Sequence, residues 1–246
     1  MRIYYSILFF ILGLAFGSFF NVLIYRLPES ENFINSRSYC PKCNTKLKYY
    51  DLIPIISYIS LKGKCRYCQK RISIRYPLIE LLTALLYTIS YLYFGLSLYL
   101  LMVILLISLL IIITFIDLDY MIIPHSLTIT GIVVFTLYQL IINQESILTY
   151  LYGLIFGFAF LAIFVFFNAM GGGDAMLAAM FGMFFGLEKT FVLLMISFII
   201  GGIFSLIVVI LKKKDRKDKI PFGPFLTTAA LLMVFFDSYF LSIYGL

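Results

Sequence analysis

The sequence predicts an all-α polytopic membrane protein, with about eight transmembrane helices and a small cytoplasmic four-cysteine insertion. Three observations predict it. Of the 246 residues, 63% are hydrophobic and 13% charged, against about 45–50% apolar and 25% charged in ordinary soluble domains. The charges divide the chain into apolar segments close to the ~20 residues that cross a hydrocarbon core. All four cysteines fall in one polar stretch, between Cys40 and Cys68. The composition alone excludes a soluble, disordered or fibrous protein.

The first span, at about 4–26, reads as a retained helix, because no small-residue cleavage pattern follows it before Arg26. Residues 27–76 form the polar insertion. From Leu81 to Ile116 there is no charged residue, which is room for two tight crossings, at about 77–95 and 97–117, turning near Gly95-Leu96-Ser97. Further spans fall at about 126–143, 147–169, 175–187, 190–211 and 222–244. The expected organisation is a first transmembrane helix at 1–26, a cytoplasmic zinc-knuckle domain at 27–76 and a transmembrane core at 77–246.

The net charge of +7 would suit nucleic acid only if the basic residues shared a folded soluble face. They do not: eleven of the nineteen lie between Arg26 and Arg75, and a second cluster runs from Lys212 to Lys219. Between apolar segments such clusters mark cytoplasmic loops. Six crossings separate them, so both fall on the same side, and both termini are expected outside. The partner implied is a lipid bilayer, with no nucleic acid.

The sixth span is short. Thirteen residues separate Asp174 from Glu188 and rise only about 20 Å as a helix, against a core of about 30 Å. The segment Gly171-Gly172-Gly173-Asp174 is therefore expected to lie partly within the membrane, where irregular backbone persists only if protein buries it or it lines a wet cavity.

Cys40-Pro-Lys-Cys43 and Cys65-Arg-Tyr-Cys68 are separated by 21 residues, a four-thiolate zinc spacing one residue beyond the usual range. Thiolates at i and i+3 across a tight turn converge on one ion, and two such knuckles complete a closed tetrahedral site. The alternatives are two disulfides or unrelated free thiols. A reducing cytoplasm disfavours the former. A closed site folds the loop and leaves no position for catalysis.

Ionisable residues in or beside membrane helices are functional candidates because their desolvation is costly. Asp117 ends the third span and Asp174 opens the sixth, both on the cytoplasmic side by the alternation of crossings. Residues i and i+2 do not share a helical face, so only one of Asp117 and Asp119 can join Asp174. Two close carboxyls in low dielectric share a proton and supply an acid and a base around one water. Glycines Gly171, Gly172 and Gly173 would admit an extended substrate backbone. Two other readings stay open at this level: helix caps, and an ion or proton pathway through a transporter with a cytoplasmic zinc domain. No internal repeat of the kind transporters show is apparent. His125, the only histidine, reads as a polar interfacial residue, and Glu80 as a snorkelling or amine-binding carboxylate.

The chain resembles the bacterial type IV prepilin leader peptidases, a GxGD intramembrane aspartyl protease family. The features run in order from Gly17-Ser18-Phe19-Phe20-Asn21-Val22 through Arg26 and Pro28, the two CxxC pairs, Arg75-Tyr76-Pro77-Leu78-Ile79-Glu80, the Asp117 segment and Gly171 to Asp174, to Pro221-Phe222-Gly223-Pro224. The resemblance implies a multi-pass enzyme of the bacterial cytoplasmic membrane that removes the short basic leader of prepilins and pseudopilins at the cytoplasmic face. Its catalytic pair maps onto Asp117 and Asp174, within a peptidase core at 77–246. Members with the four-cysteine loop typically also methylate the new N-terminus with S-adenosylmethionine. That activity is implied here, but no residues are assigned to the methyl donor; Asn21, Arg26, Arg75 and Glu80 are the polar positions of interest. The chain departs from the family at Met176, where lysine is usual, and at His125, where Asp or Asn is common.

Overall fold

The computed structural model describes residues 1–29, 38–142, 147–211 and 220–244. Among these, seven helices are long and apolar enough to cross a membrane: α1 (Arg2–Arg26), α3 (Arg75–Phe94), α4 (Leu98–Tyr120), α5 (His125–Ile142), α6 (Ile147–Phe166), α8 (Leu187–Ile210) and α9 (Gly223–Tyr244). Two shorter helices, α2 (Ile56–Ser60) and α7 (Gly172–Phe185), and a 3-10 turn at Tyr49–Leu52 complete the described helices. The expected all-α membrane class is observed. The basic run from Lys212 to Lys219 lies outside the described residues. Two compact units divide the chain, Met1–Ile112 and Ile113–Leu246.

In the first unit α1 packs along α3. Gly13 and Gly17, one turn apart on α1, remove the side chains that would hold the helices apart. A Cβ on Gly17 would stand 2.7 Å from the Cα of Glu80, and one on Gly13 would strike the backbone of Ala84. This is the close approach that small residues permit between membrane helices, where packing and not water expulsion drives association. Higher up, Phe9 stacks on Tyr91 with ring centroids 5.0 Å apart, and the Tyr87 hydroxyl meets Ser108 Oγ at 2.7 Å. The α3–α4 turn falls where predicted. Gly95 takes φ +64, which favours glycine, and Ser97 Oγ accepts the Leu100 N–H at 3.1 Å.

In the second unit α7 is the central element. With fourteen residues it rises about 21 Å, too little to span. It survives because α5, α6, α8 and α9 all pack against it, and its residues from Leu177 to Phe185 are buried on every side. Such a helix is apolar all round because it meets protein all round. The closest approach is to α6, where a Cβ on Gly157 would stand 2.5 Å from the Ala178 carbonyl oxygen, and Gly153 faces Gly182. At the far end, Lys189 on α8 pairs with Asp237 on α9. Thr114 and Thr227 share a hydrogen bond of 2.6 Å between α4 and α9. No buried side-chain polar atom among the described residues lacks a partner, as an apolar interior requires.

Candidate functional site

Asp117 lies near the C-terminal end of α4 and Asp174 in the first turn of α7; both are buried. The Gly223 N–H donates to Asp117 Oδ2 at 2.9 Å. Gly223 opens α9, so this N–H belongs to a helix N-terminus and has no partner within its own helix. Asp117 satisfies it, and the positive end of the α9 dipole faces the carboxylate. Asp174 is held similarly, its Oδ2 accepting the Gly171 N–H at 3.1 Å. The two carboxyls are close enough to interact directly through their charges. Three helix ends thus deliver two oriented carboxyl groups to one buried place.

Asp119 is exposed, as an i+2 position on the same helix should be when Asp117 faces inward. The three glycines differ in role. Gly171 is extended (φ −79, ψ 149) and precedes the helix, whereas Gly172 and Gly173 already belong to α7. A Cβ on Gly173 would stand 2.8 Å from the Ile123 Cβ, while at Gly172 it would meet nothing within 4 Å. Gly173 therefore lets α7 pack and Gly172 leaves open space beside Asp174. His125 opens α5 and is exposed. Gly223 is the residue whose part the sequence did not announce. Its signal is Gly223-Pro224, a helix start with proline in the first turn, where the missing N–H costs nothing.

The four cysteines converge. Their sulfurs all lie within 4.8 Å of one another, and no disulfide joins them. Each pair is built on the same backbone turn. Cys40 N–H donates to the Thr45 carbonyl at 3.0 Å and Asn44 N–H to the Cys40 carbonyl at 2.8 Å. The second turn repeats this with Cys65 to Lys70 and Gln69 to Cys65, both at 2.9 Å. Asn44 and Gln69, each following the second cysteine, both have positive φ. Bridges Tyr39–Lys46 and Lys64–Arg71 flank the two turns. The Thr45 hydroxyl and backbone draw the Cys43 thiol down to about 6. Cys68, although the Lys70 N–H works to lower it, is pushed up to about 11 by desolvation and the neighbouring sulfurs. Four sulfurs this close fit a tetrahedral ion with metal–sulfur bonds of about 2.3 Å, which would relieve their mutual repulsion as thiolates. The residues present fit a metal.

Residues 11–94 match the bacterial peptidase A24 N-terminal domain and residues 104–206 the type IV leader peptidase family. The prepilin leader peptidase/N-methyltransferase of Bacillus subtilis (strain 168) is 34% identical over 237 residues, covering 96% of both chains. That of Legionella pneumophila is 34% identical over 257 residues, covering 91% of this chain and 88% of the relative. That of Pseudomonas aeruginosa is 31% identical over 253 residues, covering 89% and 86%. No solved structure matches. With both family segments present in order and identity sustained along almost the whole length, the chain belongs to the prepilin leader peptidase/N-methyltransferase family.

Proposed function

We propose that this chain is a multi-pass bacterial inner-membrane enzyme that cleaves the leader of type IV prepilins or pseudopilins and methylates the new N-terminus, with Asp117 and Asp174 as the peptidase dyad. The observation that carries the dyad is two buried, mutually interacting carboxyls, each anchored by one oxygen to a backbone N–H. A water between them attacks the scissile carbonyl. One carboxylate takes the water's proton, the other carboxyl donates to the carbonyl oxygen, and with roles exchanged a proton reaches the leaving amine. Gly172 offers the open approach for the extended scissile segment. Cleavage takes place at the cytoplasmic face, the side assigned to the basic insertion at 27–76, to which the two crossings α3 and α4 return the chain at Asp117.

Cys40, Cys43, Cys65 and Cys68 hold a structural Zn2+, which folds the insertion and leaves no open coordination position. S-adenosylmethionine, when bound, would supply the electrophilic methyl group for the new N-terminal amine. The transporter reading has no support in the family membership. The deciding experiment incubates detergent-solubilised protein with a prepilin and labelled S-adenosylmethionine, reading cleavage and label transfer together. Normal cleavage by Asp117→Asn or Asp174→Asn would refute the dyad.

A further inference from the structure

The stretch from Tyr49 to Leu61 in the insertion is pinned on two sides. On one, Glu80 Oε2 accepts the Ile55 N–H at 2.8 Å. Ile55 takes φ +59, a conformation a β-branched residue adopts only under constraint. Glu80 lies five residues into α3, about 7.5 Å along its axis, and α3 is long and apolar enough to cross a membrane. On the other side Asp51 holds Arg66 at 2.7 Å and Tyr67 at 3.0 Å, both from the turn between Cys65 and Cys68. Arg66 also stands over the Tyr50 ring at 4.9 Å. The stretch is thus fixed to the four-cysteine module and set at the level where α3 enters the bilayer.

Its polarity is inverted. Ile56 and Ile59 of α2, three apart and so on one face, are 65% and 68% exposed, and Ile53 just before them is exposed as well. Ser57, Tyr58 and Leu61 are instead half-buried and line a cavity of about 660 Å3 between the module and the ends of α1 and α3. Tyr58 lies across Gly63, where a Cβ would stand 3.0 Å from its hydroxyl. A helix beside water turns isoleucine inward and serine outward. The reverse marks an outer face that meets an apolar partner. Charge identifies it. Residues 38–76 hold nine Lys and Arg and a single Asp, and the exposed Lys62 and Lys64 follow α2 directly. Apolar side chains flanked by lysines are the pattern of segments lying in a membrane surface, with the ammonium groups at the anionic headgroups. A basic peptide finds no acid there, since residues 52–64 contain none. The exposed face of α3, carrying Leu78, Leu81 and Leu85, begins at the same depth.

We propose that Ile53, Ile56 and Ile59 insert into the adjoining leaflet of the bilayer, with Lys62 and Lys64 on anionic phospholipid headgroups. The four-cysteine module is then held on the membrane surface by a lipid contact of its own, in addition to its chain connections to α1 and α3. Asp51, Arg66 and Tyr67 transmit that hold to the second cysteine turn. This surface involves neither Asp117 nor Asp174 and stands apart from the peptidase and methyltransferase readings.

The chain has no tryptophan, so one introduced by Ile59→Trp is the sole indole reporter. The full-length variant is reconstituted at high lipid excess into vesicles of phosphatidylglycerol and phosphatidylcholine, with and without acyl chains brominated near the headgroup. Bromolipid removes at least half of the emission, and the emission maximum is blue-shifted from its position in water. Vesicles of phosphatidylcholine alone, or the further changes Lys62→Gln and Lys64→Gln in the mixed vesicles, lower the quenching at least twofold. Ile56→Trp, at the neighbouring exposed position, decides the matter if the thermal midpoint shows that Ile59→Trp does not fold. Water-like emission without quenching overturns the proposal. So does blue-shifted emission without quenching, which would show that protein, a prepilin or a second copy of this chain, covers the patch. Quenching independent of lipid charge overturns the part given to Lys62 and Lys64.

Discussion

The Gly223 N–H donates to Asp117 Oδ2 at 2.9 Å across 106 residues of sequence, and a Cβ on Gly223 would stand 2.5 Å from that same oxygen. The glycine both orients the carboxylate and leaves room for it. Gly223→Ala should displace Asp117 and lower kcat for prepilin cleavage by about ten- to a hundredfold, a shift of about 1.4–2.7 kcal/mol in the barrier. A kcat equal to the wild type would show that the contact does not position the acid.

Removing either carboxyl should cost far more. Asp117→Asn and Asp174→Asn each retain shape and hydrogen-bonding capacity but eliminate acid–base exchange, a contribution of about 10²–10⁴-fold for one group. Cleavage should fall below detection while the thermal unfolding midpoint in detergent holds.

The glycines beside Asp174 should separate. Gly173→Ala must push Ile123 aside and is expected to destabilise the protein by about 1–3 kcal/mol, as overpacking does. Gly172→Ala meets nothing, so stability should hold or rise by about 0.4–1 kcal/mol. If the substrate backbone lies along this position, KM for prepilin rises in Gly172→Ala. Thermal unfolding and steady-state kinetics on the pair check both expectations.

Metal analysis should find about one zinc per chain, lost in the Cys40→Ser, Cys43→Ser double variant. A natively purified protein without metal would refute the centre. Because Cys40 and Cys65 are buried in the insertion, removal of the metal should also increase proteolysis between residues 38 and 75.

Asp51 supplies a pH test in the same insertion. Partial burial works to raise its carboxyl, but Arg66 at 2.7 Å, the Lys48 N–H at 3.2 Å and Tyr67 at 3.0 Å together hold it below the usual carboxylate range. A folded-state value below the unfolded one stabilises above the ordinary value of about 3.9, and this contribution is lost as pH falls through the lowered value. The stability gap between wild type and Asp51→Asn, measured by hydrogen exchange in the insertion, should be full at pH 7 and close on acidification below about pH 4. A gap independent of pH would show that the charge of Asp51 contributes nothing.

Much of this protein is legible in its amino-acid order because the signals are local. Apolar runs of membrane length mark α1, α3 and α4, Gly95 and Ser97 mark the turn between the last two, and the CxxC spacing marks two knuckles that repeat one backbone pattern. Asp117 and Asp174 stood out as carboxylates in apolar surroundings. The three-dimensional fold decided what depends on contacts between distant segments: that Asp117 is buried while Asp119 is exposed, that the Gly223 N–H orients Asp117, that the fourteen residues of α7 are surrounded by other helices, and that Glu80 reaches Ile55. Hydropathy and spacing follow from each residue and its near neighbours. Which face of a helix meets which partner follows from side-chain volume, down to the missing Cβ of Gly17, Gly157 and Gly223, and is settled only when the helices pack.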